Sequence, residues 1–319
     1  MKIVVKTFCL VLLLGVLVIP ASVRGERASA TAATFTSPLA PPVGDLPIRF
    51  DHISSDQGLS NLDVWSVLRD NEGFMWFGTL DGLDRFDGYQ MRVFKHDRDE
   101  ARSLNENTIR TLYQDRLGTL WIGTWTGGLE RYDRDTESFT HFRHNPDDPN
   151  SLSTDSVFAI LEDRTGQLWL GTRGGGLDRF DPPTQTFTHY RADPANPKSL
   201  SNNNVFALLE DQDGALWVGT DGGLNRLDPA TGTVTSYLHD PAIPGSLSND
   251  SIRALHLDDD GTLWVGTFGG GLKVRGNDQR RVICNVRKDE NVLFTDAFER
   301  GIFIVSLFVF FGCIGIECR

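Results

Sequence analysis

The stretch "LWVGTDGGLNRLDP", Leu216 to Pro229, holds a tryptophan, three glycines, two aspartates and an arginine in fourteen residues. Such a mixture suits a phosphate loop, a metal loop or a sugar site, and each chemistry makes its own demands. "GTRGGG" from Gly171 is glycine-rich, but it lacks the G-x-x-x-x-G-K-[ST] order. It also precedes a strand pattern, so no helix N-terminus stands ready for an anion. "DQDG" at Asp211 and "DDDG" at Asp258 begin like calcium loops. Their counterparts read "DNEG", "DRLG" and "DRTG", and no glutamate holds the twelfth place, so a turn is the expectation. His141 in "FTHF" and His189 in "FTHY" read as solvated strand-face residues, not ligands. No carboxylate pair stands apart from the repeat, and no Ser or Cys sits in a nucleophile motif. No catalytic residue, metal or cofactor is expected, and the chain is not read as an enzyme.

The glycine-tryptophan stretch recurs. "MWFGTLDGLDRFD" starts at Met75, "LWIGTWTGGLERYD" at Leu120, "LWLGTRGGGLDRFD" at Leu168 and "LWVGTFGGGLKVRG" at Leu263. The five tryptophans, Trp76, Trp121, Trp169, Trp217 and Trp264, are 45, 48, 48 and 47 residues apart. A catalytic loop is needed once per site, whereas a period of about 40–50 residues signals stacked supersecondary units. The motif is therefore architecture first.

One unit shows how. In residues 199–240, "VFALLE", "ALWVGT", "LNRLD" and "TVTSYLH" are short β-favouring runs separated by "DQDG", "DGG" and "PATG". Four strands joined by Gly/Asp/Pro turns make an antiparallel meander, and repetition about an axis makes an all-β propeller of four-stranded blades. The tryptophans are expected to be buried between blades. Gly219 and its equivalents are expected where a neighbour comes close, and the Gly-Gly pair at a tight turn.

The net charge of −12 excludes a phosphate-backbone partner, because nucleic-acid binding needs clustered Lys and Arg. At the N-terminus, Lys2 and Lys6 precede an apolar run from Phe8 to Ile19 and small residues up to Gly25. This reads as a signal peptide over 1–25, with export to the periplasm or envelope. Residues 26–46 read as a linker, 47–276 as the repeats and 277–319 as a divergent tail. That tail carries "GIFIVSLFVFFGCIGI", a run marginal for a membrane span, so an anchor is conceivable at either end. Cys9, Cys284, Cys313 and Cys318 all lie outside the repeats.

The recurring D-x-x-G-x-[LM]-W-x-G-T-x-x-G-L-x-R-[FYL]-D, preceded by [SG]-L-[SN], resembles the two-component regulator propeller repeat. It matches at Asp70–Asp87, Asp115–Asp133, Asp163–Asp181 and Asp211–Asp228, and the copy from Asp258 departs after Leu272. The resemblance implies an extracytoplasmic sensor of a membrane receptor whose output is a histidine kinase or a diguanylate cyclase. It also implies carbohydrate fragments as ligands. No kinase or cyclase motif occurs in this sequence, which reads as a truncated or frameshifted sensor portion. Five repeats favour an incomplete larger propeller, open to self-association. The alternative is a ring closed by "IRFDHI", Ile48–Ile53.

A ligand is expected at one rim, where the B–C turns and the D–A loops of the blades meet. The residues after "GT" are Leu80, Trp125, Arg173, Asp221 and Phe268, and those two before strand A include Asn107, Asp155, Asn203 and Asp250. Aromatic faces and planar polar groups around one opening suit a saccharide. The alternative function is an envelope scaffold that binds other proteins.

Overall fold

A computed structural model describes residues 52–275, 284–287 and 315–318. The expected signal peptide, linker and most of Ile48–Ile53 and of the tail lie outside the described residues. The first sheet holds β1 (Val64–Arg69), β2 (Met75–Thr79), β3 (Gly82–Phe86) and β4 (Met91–Phe94). The second holds β5 (Ile109–Gln114), β6 (Leu120–Thr124), β7 (Leu129–Asp133) and β8 (Ser138–Phe142). The third holds β9 (Val157–Glu162), β10 (Leu168–Thr172), β11 (Gly176–Asp181) and β12 (Thr186–Tyr190). The fourth holds β13 (Val205–Glu210), β14 (Leu216–Thr220), β15 (Gly223–Asp228) and β16 (Thr233–Tyr237). The fifth holds β17 (Ile252–Leu257), β18 (Leu263–Thr267) and β19 (Gly271–Arg275), and adds β20 (Cys284–Arg287) and β21 (Gly315–Cys318). The fourth strand of this sheet, β20, thus lies beyond Leu272, where the repeat motif departs. All pairings are antiparallel, as hairpin connections require.

The first strands form the hub: β1 packs on β5, β5 on β9, β9 on β13 and β13 on β17. No such seam joins β17 back to β1 among the described residues, so the sheets form a propeller that is not closed. Each seam holds an apolar cluster. Between the third and fourth sheets Trp169 meets Leu200, Val205, Leu216, Val218, Leu227 and Val234. Between the first and second, Trp76 meets Phe94, Tyr132 and Phe139. Trp76, Trp121, Trp169 and Trp217 are at most 3% exposed. Trp264 is only half-buried, against the expectation for all five, because no sixth sheet packs over it among the described residues.

In the first four sheets the glycine of "GT" lies where the next blade's first strand begins. A methyl on Gly171 would meet Val205 at 2.7 Å, and one on Gly219 would meet Ile252 at 2.7 Å. At Gly266 the nearest atom is the blade's own Ala254, at 3.3 Å. Gly176 (φ 90°) and Gly223 (φ 124°) take the left-handed conformation that opens the third strand.

The aspartates that begin like calcium ligands are committed to the fold. Asp163 Oδ1 accepts the backbone N–H groups of Thr165 and Gln167 and caps the turn. Its Oδ2 accepts Trp169 Nε1 at 2.7 Å. The bond repeats as Trp76–Asp70, Trp121–Asp115, Trp217–Asp211 and Trp264–Asp258. Burial opposes the charged Asp163 carboxylate, but hydrogen bonds from Thr165, Trp169 and Gln167 hold its pKa below the usual range.

His141 and His189 are not solvated strand-face residues, as the alternation had indicated. Each lies against a fully buried carboxylate: His141 Nδ1 is 2.5 Å from Glu130, and His189 Nδ1 is 2.7 Å from Asp178. Their Nε2 atoms reach the carbonyls of Ala101 and Pro149. Glu130 and Asp178 also cap the backbone of Asn105 and Ser153 at the entry to each blade. A buried carboxylate demands partners, and the outer-strand histidine supplies one.

Candidate functional site

The first strand of every sheet carries a β-bulge at its second residue. Val64 pairs with Thr79 and Ser66 with Gly78, leaving Trp65 without a partner across the ladder. The same skip leaves Arg110, Phe158, Phe206 and Arg253 unpaired. A bulge re-aims its extra side chain, and here five are turned along the hub into one array. Trp65 lies 5.4 Å from Trp125 between ring centroids, Trp125 lies 5.0 Å from Phe158, and Phe158 lies 5.5 Å from Phe206. Guanidinium groups are interleaved with the rings. Arg110 sits 4.7 Å from the Trp65 ring and 4.9 Å from that of Phe158. Arg253 lies 3.8 Å from the Phe206 ring and 5.5 Å from that of Phe268, and Arg173 lies 5.4 Å from that of Trp125.

The residues after "GT" stand beside this array, held by one repeated bond. The backbone N–H of Leu80, Trp125, Arg173, Asp221 and Phe268 donates to the carbonyl of Asp63, Thr108, Ser156, Asn204 and Ser251, respectively. Each acceptor is the residue just before β1, β5, β9, β13 or β17. Bonds also run to the next sheet: Thr108 Oγ1 donates to the Leu80 carbonyl, Ser156 Oγ to the Trp125 carbonyl, and Ser251 Oγ to Asp221 Oδ1. Trp125 and Arg173 are in contact with each other, and Asp221, Arg253 and Phe268 form a second group through a 2.8 Å ion pair between Arg253 and Asp221. Arg173 and Phe268 remain exposed, with Phe268 63% accessible, whereas Leu80 is 39% accessible and stands in neither group.

Asn107, Asp155, Asn203 and Asp250 have other work. Their side-chain oxygens accept the backbone N–H of His96, His144, Ala192 and His239, which closes each long loop. Their carbonyls accept Gly82, Gly128, Gly176 and Gly223 of the preceding sheet. These are staples between blades, and one side-chain oxygen of each is engaged in closing its long loop.

Sequence reasoning missed the bulge residues, because "VFALLE" reads as one apolar run. The signal was an irregularity. Val or Ile precedes each site and Ser, Thr or Ala follows it, while the residue between is Trp, Arg, Phe, Phe or Arg. An arginine that alternates with aromatics at one repeat position does not serve a core.

Electrostatically the two hub arginines differ. Arg253 is paired with Asp221. Arg110 has no ion pair or hydrogen bond among the described residues, and its Nε is sealed from solvent without a partner, as is Trp65 Nε1. Burial, then repulsion from Arg253, lowers the Arg110 pKa to about 10. It stays cationic at neutral pH.

A family profile described as two component regulator propeller matches residues 58–81, 103–126, 151–174, 199–222 and 246–269. Among solved structures, the extracellular domain of a hybrid two-component system from B. thetaiotaomicron is 28% identical, with a TM-score of 0.64. The match covers 75% of this chain and 33% of that one. A second such domain from that organism is 27% identical, with a TM-score of 0.59 and coverage of 75% and 34%. PorZ, a surface component of the type-IX secretion system of Porphyromonas gingivalis, shares the fold at 15% identity and a TM-score of 0.52, covering 72% of this chain and 36% of its own. The chain spans about a third of the length of these structures. No curated protein matches it.

Proposed function

The chain belongs, through its five repeats, to the two-component regulator propeller family, and we propose that it is the extracytoplasmic ligand-sensing propeller of a signal-transduction receptor. Its solved relatives are extracellular domains of hybrid two-component systems, which supports export and a regulatory role. Among the described residues no helix is long and apolar enough to cross a membrane. The output module, kinase or cyclase, belongs to whatever the propeller is joined to.

The observation that carries the reading is the array itself. Trp125, Arg173 and Phe268 stand partly or fully exposed at one end of the hub, beside Arg110 and Arg253. A shallow surface of flat rings and planar donors, held on a hydrogen-bonded rim, fits the ring faces and hydroxyls of a saccharide fragment. None of these side chains belongs to the apolar clusters that fill the seams.

A thermal-shift screen of oligosaccharides tests this. A ligand at 100 times its dissociation constant stabilises the folded chain by about 2.7 kcal/mol. Trp125→Ala and Arg173→Ala are each expected to weaken its binding by about 1–3 kcal/mol while costing less than about 1 kcal/mol in urea unfolding. Unchanged affinity in both variants removes the ligand from this rim. Stabilisation by an envelope protein and by no saccharide makes the chain a scaffold instead.

A further inference from the structure

Arg110 is costly where it stands. A guanidinium taken partly out of water normally acquires a carboxylate or a set of carbonyl acceptors. Arg253, the corresponding bulge residue three sheets on, has Asp221. Arg110 has two aromatic faces, at 4.7 and 4.9 Å, and no acceptor among the described residues. Ring faces offset part of the charge, but they accept no in-plane N–H. Its neighbour Trp65 also presents a sealed, unpartnered N–H. The chain has a surplus of carboxylates, with a net charge of −12, yet among the described residues none is placed against this cation. Arg253 lies near enough to raise the local positive potential further. The fold thus keeps an unpaired guanidinium at one spot in the hub, bounded by Trp125 and Phe158, with its Nε sealed and its Nη end left to meet a ligand.

We propose that this spot is an oxyanion seat: Arg110 binds a carboxylate or sulfate group of the ligand, whose sugar ring then lies against Trp125. The inference rests on the saccharide reading above and narrows it to acidic saccharides. Planar guanidinium matches the two oxygens of a carboxylate edge-on while its faces stay on Trp65 and Phe158. Arg173, stacked on Trp125 and without an ion pair among the described residues, extends the positive surface outward for a second acidic unit. A neutral sugar would leave Arg110 as orphaned as it is now.

Three probes decide the matter by calorimetry and tryptophan fluorescence on the full chain: a trigalacturonate, the neutral galactose trisaccharide and inorganic sulfate. Trigalacturonate is expected to bind about tenfold or more tighter than the neutral trisaccharide, and Arg110→Gln to abolish that difference. Arg110→Lys, which keeps the charge and loses the fork, should recover only part of it. Sulfate competing with trigalacturonate supports the seat with the anion on a sugar. Sulfate binding through Arg110 while trigalacturonate does not bind assigns the seat to free oxyanions and overturns the sugar. Trigalacturonate affinity unchanged within about twofold in Arg110→Gln overturns the seat, and if Trp125→Ala still weakens binding the rim reading survives. Failure of both anionic probes at millimolar concentration overturns it as well. Urea unfolding of Arg110→Gln, expected to match or exceed the parent, separates lost binding from lost folding.

Discussion

Trp169 lies on the second strand of its blade and Trp65 on the first strand of its own, and the two serve opposite ends. Trp169 is fully buried in a seam, and its Nε1 donates to Asp163 at 2.7 Å. Trp65 lines the hub, is half-buried, and keeps its Nε1 without a partner. The seam tryptophan recurs in all five repeats with its aspartate, whereas the hub position changes from Trp to Arg to Phe. In the seam between the third and fourth sheets the tryptophan ring is fully buried and its one polar atom is matched. The hub is not matched in this way: it keeps a guanidinium with no acceptor among the described residues, and Arg173 and Phe268 stand exposed beside it. The difference teaches where to look in a repeat protein: at the position whose burial and chemistry disagree.

The largest effect should separate the two tryptophan environments. Trp169→Ala is expected to cost about 3–5 kcal/mol by urea unfolding, because a closed seam cannot collapse on the cavity. Trp125→Ala at the hub should cost less than about 1 kcal/mol. A Trp169→Ala loss below that of Trp125→Ala would break the distinction.

A smaller effect should track the seam from inside to outside. Gly219→Ala places a methyl 2.7 Å from Ile252 and is expected to cost about 1–3 kcal/mol. Gly266→Ala meets only Ala254 at 3.3 Å and should be nearly neutral. Equal costs in denaturant titration would mean that the glycine serves its own strand and not the neighbouring blade.

The smallest effect concerns the buried carboxylates of the third strands. The hydrogen bond to Asp178, opposed by burial, raises the His189 pKa above its ordinary value. A raised histidine pKa contributes stability that is complete below about pH 6.5 and is lost as pH rises through the folded value. His189→Gln is expected to remove that pH dependence, with a loss of about 1 kcal/mol on the acid side only. The fourth blade offers a natural control, since Asn225 and Ser236 fill the same places with nothing to titrate. Parallel stability–pH curves for His189→Gln and the parent would show that the pair carries no linked proton.

Much of the fold was legible because it is local and repeated. Spacing located the tryptophans, Gly/Asp turns divided the strands, and the glycine of "GT" marked a close approach that Val205 and Ile252 make. The partnership of Asp163 with Trp169 was not legible as a bond, because the aspartate reads equally as a turn residue six positions away. The histidines misled because alternation places a residue on a face without saying what lies opposite. Of the candidate site, Trp125, Arg173, Asp221 and Phe268 were readable as variable positions in a constant frame. Asn107, Asp155, Asn203 and Asp250 shared that variability, and the part they play in loop closure was not legible.

The sequence by itself determined the repeat, its four strands, the turns and the residues that fill the seams. Those depend on side-chain period, glycine conformation and apolar burial, all written within about fifty residues. Only the tertiary structure decided that Trp65, Arg110, Phe158, Phe206 and Arg253 meet. They lie roughly 45 residues apart along the chain, and each reaches the hub because a bulge turns it out of the ladder. A bulge is a register difference between two strands, and register is a property of the pair, absent from either strand alone.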